Sequence, residues 1–182
     1  MPLTLHEAWP GHLMQFSIAH ELDELPEFRR YCWSQYNAYV EGWALYCERL
    51  GYDLRLYDEP RDKFGFLTFE LWRASRLVVD TGIHWMGWSR PKAISYMQEN
   101  SLLPAATIES EVDRYIGMPG QALAYKIGER AISNMRSSAE QRLGERYSLR
   151  EFHDLVLGTG PVTLDALQAR VERWVDQLQM AA

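Results

Sequence analysis

The sequence lacks several features that would point to common classes of protein. No apolar run approaches the roughly 20 residues needed to cross a bilayer, so we expect no membrane-spanning helix. Lys and Arg number 19 against 25 Asp and Glu, and the net charge of −6 argues against nucleic-acid binding, which requires a basic face. No secretory leader is visible, and we therefore expect a cytoplasmic protein.

Cysteine is scarce, and alternating strand patterns are missing. The chain has 2 cysteines, Cys32 and Cys47, which are too few for a disulfide scaffold and are predicted to be buried thiols. No segment shows the alternation of apolar and polar residues that is typical of a half-buried strand. A disulfide-rich protein and a β-protein are both disfavoured.

Helical periodicity dominates the 182 residues, of which 47% are hydrophobic. We predict helices over about 4–21, 26–51, 60–85 and 121–143, a helix capped by Ser89, one that begins at Thr107, one capped by Ser148, and a last one that ends near Gln179. The sequence therefore predicts one all-α, multi-helix domain over residues 1–182.

The stretch "HEAWPGH" at residues 6–12 is close to the HExxH pattern of zinc hydrolases, but its second histidine comes two residues late. On an unbroken helix His6 and His12 would not share a face. Pro10 and Gly11 can end or bulge the helix, and His12 can then turn back towards His6. The spacing is compatible with a metal site in which Glu7 is the general base, or with two unrelated histidines near a helix end.

Two carboxylates further along the chain bear on this choice. Glu41 and Glu48 are seven residues apart in an aromatic helix, where an ionised carboxylate is costly unless it is paired or bound to metal. Two histidines and a carboxylate form a common catalytic zinc set, and Glu41 is the better candidate for the third ligand. Glu48 is expected either to orient a ligand histidine or to face solvent.

The sequence resembles the DUF885 family of bacterial proteins, which are themselves similar to HExxH-type metallopeptidases. The resemblance is to the C-terminal half of that family and covers nearly the whole chain. It depends on four stretches: "HEAWPGH" (6–12), "EGWALYCERLG" (41–51), "RLVVDTGIHWMGWSRPKAISYM" (76–97) and "EVDRYIGMPGQALAYKIGE" (111–129).

The resemblance implies an all-α fold like the catalytic half of such metallopeptidases, together with zinc-dependent peptidase activity. It supports His6, His12 and Glu41 as metal ligands and Glu7 as the base. Members often carry a further histidine directly after the motif, where this chain has Leu13, and its absence favours His12 as the ligand. Members also carry a long region before the motif, so we expect either a fragment or a short enzyme with an open or self-assembled cleft.

Three residues of the third stretch share one helix face, because Arg76, Asp80 and His84 are each four residues apart. One interpretation is a pair of surface salt bridges. In the other, Asp80 fixes the tautomer of His84, which then donates to a developing oxyanion.

The fourth stretch offers Arg114, Tyr115 and Tyr125 around a proline–glycine break. Arg114 could hold a substrate carboxylate with its fork of donors, and a tyrosine hydroxyl could stabilise a tetrahedral intermediate. Alternatively, both tyrosines are core residues with a polar tip. His153 is expected at the surface or at a helix cap.

These patterns predict a zinc-dependent hydrolase of peptide or small amide-like substrates. The same two-histidine, one-carboxylate set also suits Fe²⁺, so an iron enzyme acting on a small molecule is the alternative. A non-catalytic helical fragment or binding domain is a third interpretation. No nucleic-acid or membrane partner is expected, and a homodimer could cover the site.

Overall fold

The computed structural model describes residues 1–31 and 33–180. It contains ten α-helices and no strand within these residues, which confirms the predicted all-α fold. The helices are α1 (Pro2–Glu7), α2 (His12–Glu21), α3 (Glu27–Tyr31), α4 (Asn37–Asp53), α5 (Pro60–His84), α6 (Arg90–Asn100), α7 (Ala105–Gly117), α8 (Gln121–Leu143), α9 (Leu149–Gly158) and α10 (Leu164–Met180). Short 3₁₀ turns occupy Trp33–Tyr36 and Gly144–Arg146.

Two helices, α4 and α8, form the centre of the fold. They approach closely at Gly42 and Gly128, where a Cβ on Gly42 would lie 2.5 Å from the Cα of Gly128. A larger side chain at either position would push the helices apart. This close contact brings the residues before and after it on α4 next to those on α8.

The apolar core lies on two sides of this central pair. The larger cluster joins α4 and α8 to α9 and α10, with Trp43 and Phe152 buried within it. The smaller cluster joins α5, α6 and α7 to the first turn of α8, around Val79 and Met97. Cys47 is fully buried, as predicted, whereas Cys32 lies outside the described residues.

Two of the predicted helices are divided in the structure. The segment predicted as one helix over 4–21 is α1 and α2, separated by a turn that contains Pro10 and Gly11. The segment predicted over 26–51 is α3, a 3₁₀ turn and α4, which runs on to Asp53. The spacing of the apolar residues stays helical across both breaks, so periodicity alone does not predict where a helix is interrupted.

The predicted caps and breaks agree with the structure. Ser89 accepts from the Lys92 amide at the start of α6, and Ser148 accepts from the Glu151 amide at the start of α9. The proline–glycine break falls between α7 and α8, where Gly120 has a φ of +82°. That left-handed backbone conformation suits glycine, and it directs α8 back across α5.

Candidate metal centre

The turn between α1 and α2 folds the chain back on itself. Gly11 lies against the carbonyl oxygen of His6, which a Cβ at position 11 would approach to 1.8 Å. The indole N–H of Trp43, on α4, donates to the carbonyl of Pro10 at 2.9 Å and holds the turn against the central helix. The rings of His6 and His12 are thereby brought to a centroid distance of 4.9 Å, as the broken-helix interpretation predicted.

His6, His12 and Glu41 converge on one point. Oε2 of Glu41 lies 3.5 Å from Nε2 of His6 and 3.3 Å from Nε2 of His12. One potential ligand atom from each residue falls within 4.8 Å of the other two. Ligand atoms around a tetrahedral zinc ion are about 3.4 Å apart, given bonds of about 2.0–2.1 Å. The three side chains therefore fit a metal ion, by both their spacing and their chemistry.

The far side of each imidazole ring is held by an acceptor. Nδ1 of His6 lies 2.8 Å from Oε1 of Glu48, and Nδ1 of His12 lies 3.3 Å from Oε1 of Gln15. Because both oxygens accept, each Nδ1 donates its hydrogen to one of them, and Nε2 is the nitrogen of each ring that faces Glu41. Such contacts orient the histidine ligands of metal sites, and Gln15 is a member that the sequence analysis missed.

Glu48 is fully buried, which removes the solvent-facing interpretation. Its Oε1 accepts from His6 and, at 3.3 Å, from Nη2 of the buried Arg73. The hydroxyl of Tyr57 donates to the Glu48 backbone carbonyl at 2.6 Å. Glu48 is thus held behind His6 by a cation and a fixed backbone, as the predicted orienting role requires.

The electrostatics of the cluster favour a charged carboxylate. Burial alone raises the pKa of Glu41, but its contacts with His12 and His6 outweigh burial and bring the pKa to about 2. Burial lowers the pKa of His6, whereas Glu41 and Glu48 outweigh it and raise the pKa above its ordinary value. Glu41 is therefore ionised at neutral pH and available as a ligand.

An open cavity of about 320 Å³ lies over the three side chains, and its remaining wall residues are Glu7, Phe16, Val40 and Tyr125. The Glu7 side chain is exposed there, and its carboxylate has no hydrogen-bond or ion-pair partner within the described part of the chain. The Tyr125 ring is stacked 6.2 Å from that of His6, and burial followed by the Glu41 charge raises the pKa of its phenol. Glu7 and Tyr125, both predicted as catalytic, are thus at the same cavity.

Asp80 and His84 do not form the predicted pair. Oδ2 of the buried Asp80 accepts from the Gly120 amide at 3.0 Å, at the start of α8. Nε2 of His84 lies 2.9 Å from the carbonyl of Tyr115, to which it donates. The two share a helix face, but that face spans the α7–α8 junction, so each reaches a different backbone group. His84 does not line the cavity.

Arg114 and Tyr115 belong to a polar cluster beside the site rather than to its surface. Nε and Nη2 of Arg114 donate to the Glu111 carboxylate at 3.2 and 2.9 Å. Arg114 therefore forms an internal ion pair and, contrary to the prediction, does not present these donors to a substrate carboxylate. Tyr115 is buried and donates to Glu111 at 2.8 Å, which agrees with the core interpretation. Arg76 is buried, donates to Tyr115 and Glu111, and so is not part of a surface salt bridge.

His153 differs from its predicted surface or capping position. Its Nε2 accepts from the hydroxyl of Tyr46 at 2.8 Å, and its ring lies edge-on to Trp43 at 5.4 Å. The side chain is therefore packed beneath α9. Sequence gave no signal for this, because the residues that cover His153 come from α4, more than a hundred positions earlier.

A model of the family described as "Bacterial protein of unknown function (DUF885)" matches residues 1–171. The chain belongs to DUF885. Its predicted resemblance to that family is confirmed over most of its length. A search of curated proteins finds no match.

Two solved structures are similar to this chain in fold. One, described as "the putative lipoprotein from Colwellia psychrerythraea", is 46% identical over 97% of this chain, with a TM-score of 0.93. The other, "a putative lipoprotein of unknown function from Shewanella oneidensis", is 25% identical over 92% of the chain, with a TM-score of 0.81. The chain spans 30% of the length of each.

The descriptions of these two relatives do not establish the cellular compartment of this chain. "Lipoprotein" is said of those two proteins, and the cytoplasmic location of this chain stays a prediction. Among the described residues no helix combines the length and apolarity that crossing a membrane requires.

Proposed function

We propose that this DUF885 chain carries the metal-binding centre of a zinc-dependent hydrolase that cleaves peptide or amide bonds. One observation supports the proposal above the others. Nε2 of His6, Nε2 of His12 and Oε2 of Glu41 converge, and the opposite nitrogen of each ring is occupied by Glu48 or Gln15. Three protein ligands leave a fourth position for water or substrate, which is the composition of catalytic zinc sites.

The residues of the cavity have distinct chemical roles in this proposal. A bound zinc ion would polarise the scissile carbonyl and lower the pKa of water towards about 7. Glu7 takes the proton from the attacking water and delivers it to the leaving amine, because its carboxylate is exposed in the cavity without a competing partner. Tyr125 donates its phenolic hydrogen to the oxygen on which negative charge develops.

Tyr125 is a better donor for this step than His84. Both were predicted from the sequence, but Tyr125 lines the cavity whereas the Nε2 hydrogen of His84 is used by a backbone carbonyl. The apolar walls formed by Phe16 and Val40 favour an uncharged group of the substrate next to the scissile bond. This supports peptide and amide substrates over highly charged ones.

Replacing the general base is the sharpest test of the hydrolase. Glu7→Gln should leave zinc content unchanged, because Glu7 is not a ligand, and should lower turnover of blocked peptides by about 10²–10⁴-fold. Glu24→Gln, at an exposed loop position, is the matched control and should retain activity. Zinc is measured by elemental analysis, and peptide cleavage by mass spectrometry.

The results of this test separate the parts of the proposal. Full activity in Glu7→Gln would remove Glu7 from the mechanism. A wild-type protein that binds zinc and cleaves none of the peptides would contradict the hydrolase while leaving the metal site intact.

An iron enzyme is the second candidate, because two histidines and one carboxylate are also the ligand set of non-haem iron oxygenases. Elemental analysis of protein purified without added metal distinguishes the two. Iron at about one equivalent, with oxygen consumption that depends on it, would favour the oxygenase, whereas zinc without oxygen consumption would favour the hydrolase.

A further inference from the structure

Gln121, the first residue of α8, contacts both the ligand carboxylate and the proposed oxyanion donor. Its Nε2 lies 3.4 Å from Oε1 of Glu41 and 3.2 Å from the hydroxyl of Tyr125. Its Oε1 lies 2.7 Å from Nη1 of Arg114. One amide group therefore connects the metal cluster to the polar cluster behind it.

The orientation of this amide follows from its neighbours. Arg114 can only donate, so the oxygen of Gln121 must face it, and the NH₂ group must face Glu41 and Tyr125. Arg114 is in turn fixed by its two contacts with Glu111. The Arg114–Glu111 ion pair therefore fixes which end of the Gln121 amide faces Glu41.

The two oxygens of Glu41 have different surroundings as a result. Oε2 faces the Nε2 atoms of His6 and His12, at 3.5 and 3.3 Å. Oε1 accepts instead from Nε2 of Gln121, at 3.4 Å. A carboxylate whose second oxygen is hydrogen-bonded is restrained from rotating to offer both oxygens to one cation.

We propose that Gln121 is a positioning residue that keeps Glu41 a one-oxygen ligand and so keeps one coordination position open at the metal. The inference rests on the proposed metal site and goes beyond it by assigning the control of coordination number to a residue that touches neither histidine.

The same contact orients Tyr125. Because the phenolic oxygen accepts from Gln121, the phenolic hydrogen is directed away from Gln121, and Glu41 is its partner within the cluster. Arg76 lies 4.3 Å from the centre of the Tyr125 ring and restrains the ring from the side of α5. The NH₂ group of Gln121 thus positions both the Glu41 carboxylate and the Tyr125 hydroxyl.

Cobalt substitution tests the inference without any assay of turnover. Co²⁺ absorbs more strongly in the visible range at four-coordinate than at five- or six-coordinate sites, and azide adds to an open position. We expect Gln121→Met to bind Co²⁺ with lower visible absorption per ion and to bind azide about tenfold more weakly, in line with the effect of losing an outer hydrogen bond. Gln168→Met, which removes a glutamine that donates to Glu172 on α10, is the matched control and should match wild type.

A second variant covers the case in which Gln121→Met does not fold, as judged by circular dichroism. Arg114→Met leaves Gln121 in place but frees its amide to turn, so its spectrum should shift in the same direction by a smaller amount. A folded Gln121→Met protein with the wild-type spectrum and azide affinity would overturn the positioning role. Wild-type protein that binds no Co²⁺ at all would instead contradict the metal site itself, so the two failures are distinguishable.

Discussion

His6 is buried and His153 is half-buried, and their surroundings affect the two rings in opposite ways. His6 lies between the carboxylates of Glu41 and Glu48, which raise its pKa in spite of burial. Burial and, after it, the nearby Arg136 cation lower the pKa of His153 to about 4, and its ring nitrogen is hydrogen-bonded to the neutral hydroxyl of Tyr46.

The difference indicates which of the two histidines is suited to a cation. Each ring is packed against the central helix α4, so packing does not distinguish them. What distinguishes them is charge: carboxylates around His6 attract a cation, whereas Arg136 near His153 repels one. A metal is therefore expected at the first histidine and not at the second.

The same substitution at both positions gives the largest predicted contrast. His6→Gln should weaken zinc binding by more than about 100-fold, because losing a ligand costs more than losing an outer contact. His153→Gln should retain the zinc affinity of wild type. Competition with a chromogenic chelator measures both, and equal losses in the two variants would contradict the assignment of the site.

Removing the charge behind His6 should have an intermediate effect. In Glu48→Gln the amide oxygen can still accept from His6, but the negative charge is gone and Arg73 loses its buried counter-ion. We expect zinc affinity to fall by about 10–100-fold and the free energy of unfolding by about 3 kcal/mol. Chelator competition and denaturant unfolding measure the two quantities.

An exposed carboxylate provides the control for Glu48→Gln. Glu172→Gln, at an exposed carboxylate of α10 that also accepts one hydrogen bond, should change neither quantity appreciably. Unchanged zinc affinity in Glu48→Gln would mean that Glu48 supports the helix α4 and does not tune His6.

The sequence predicted the three converging side chains more fully than the residues that support them. The convergence of His6, His12 and Glu41 was predictable because ligand chemistry restricts residue types and because Pro10 and Gly11 signal a break. Gln15 and Gln121 were missed, since an uncharged amide has no distinctive spacing and each acts across elements that sequence does not pair.

The sequence predicted the all-α fold class and the helix caps, but it did not predict which side chains meet between helices. Ser89 and Ser148 cap helices as expected, because a cap depends on residues three positions away. The Asp80–His84 pair failed although the four-residue spacing was right. Spacing shows which side chains share a face, but the partner helix decides which groups they meet.

The smallest predicted effect concerns His153 and the pH dependence of stability. Its folded pKa of about 4 lies below the ordinary value of 6.5, so the unfolded chain takes up the proton first as the pH falls. The stability that neutral His153 contributes is therefore complete above about pH 6.5 and is lost as the pH falls towards 4. His153→Gln keeps an acceptor for Tyr46 but does not titrate, so its melting temperature should fall less between these pH values than that of wild type.

Thermal melts of metal-free protein across this range measure the effect, and His20→Gln shows how far the loss of a surface histidine alone alters the profile. The acid-induced loss shared by wild type and His153→Gln includes other groups such as Glu41, so only the difference between the two curves reports on His153. Parallel curves would mean that the His153 proton is not coupled to folding. In that case the contrast with His6 would rest on ligand geometry alone and not on the charge that surrounds each ring.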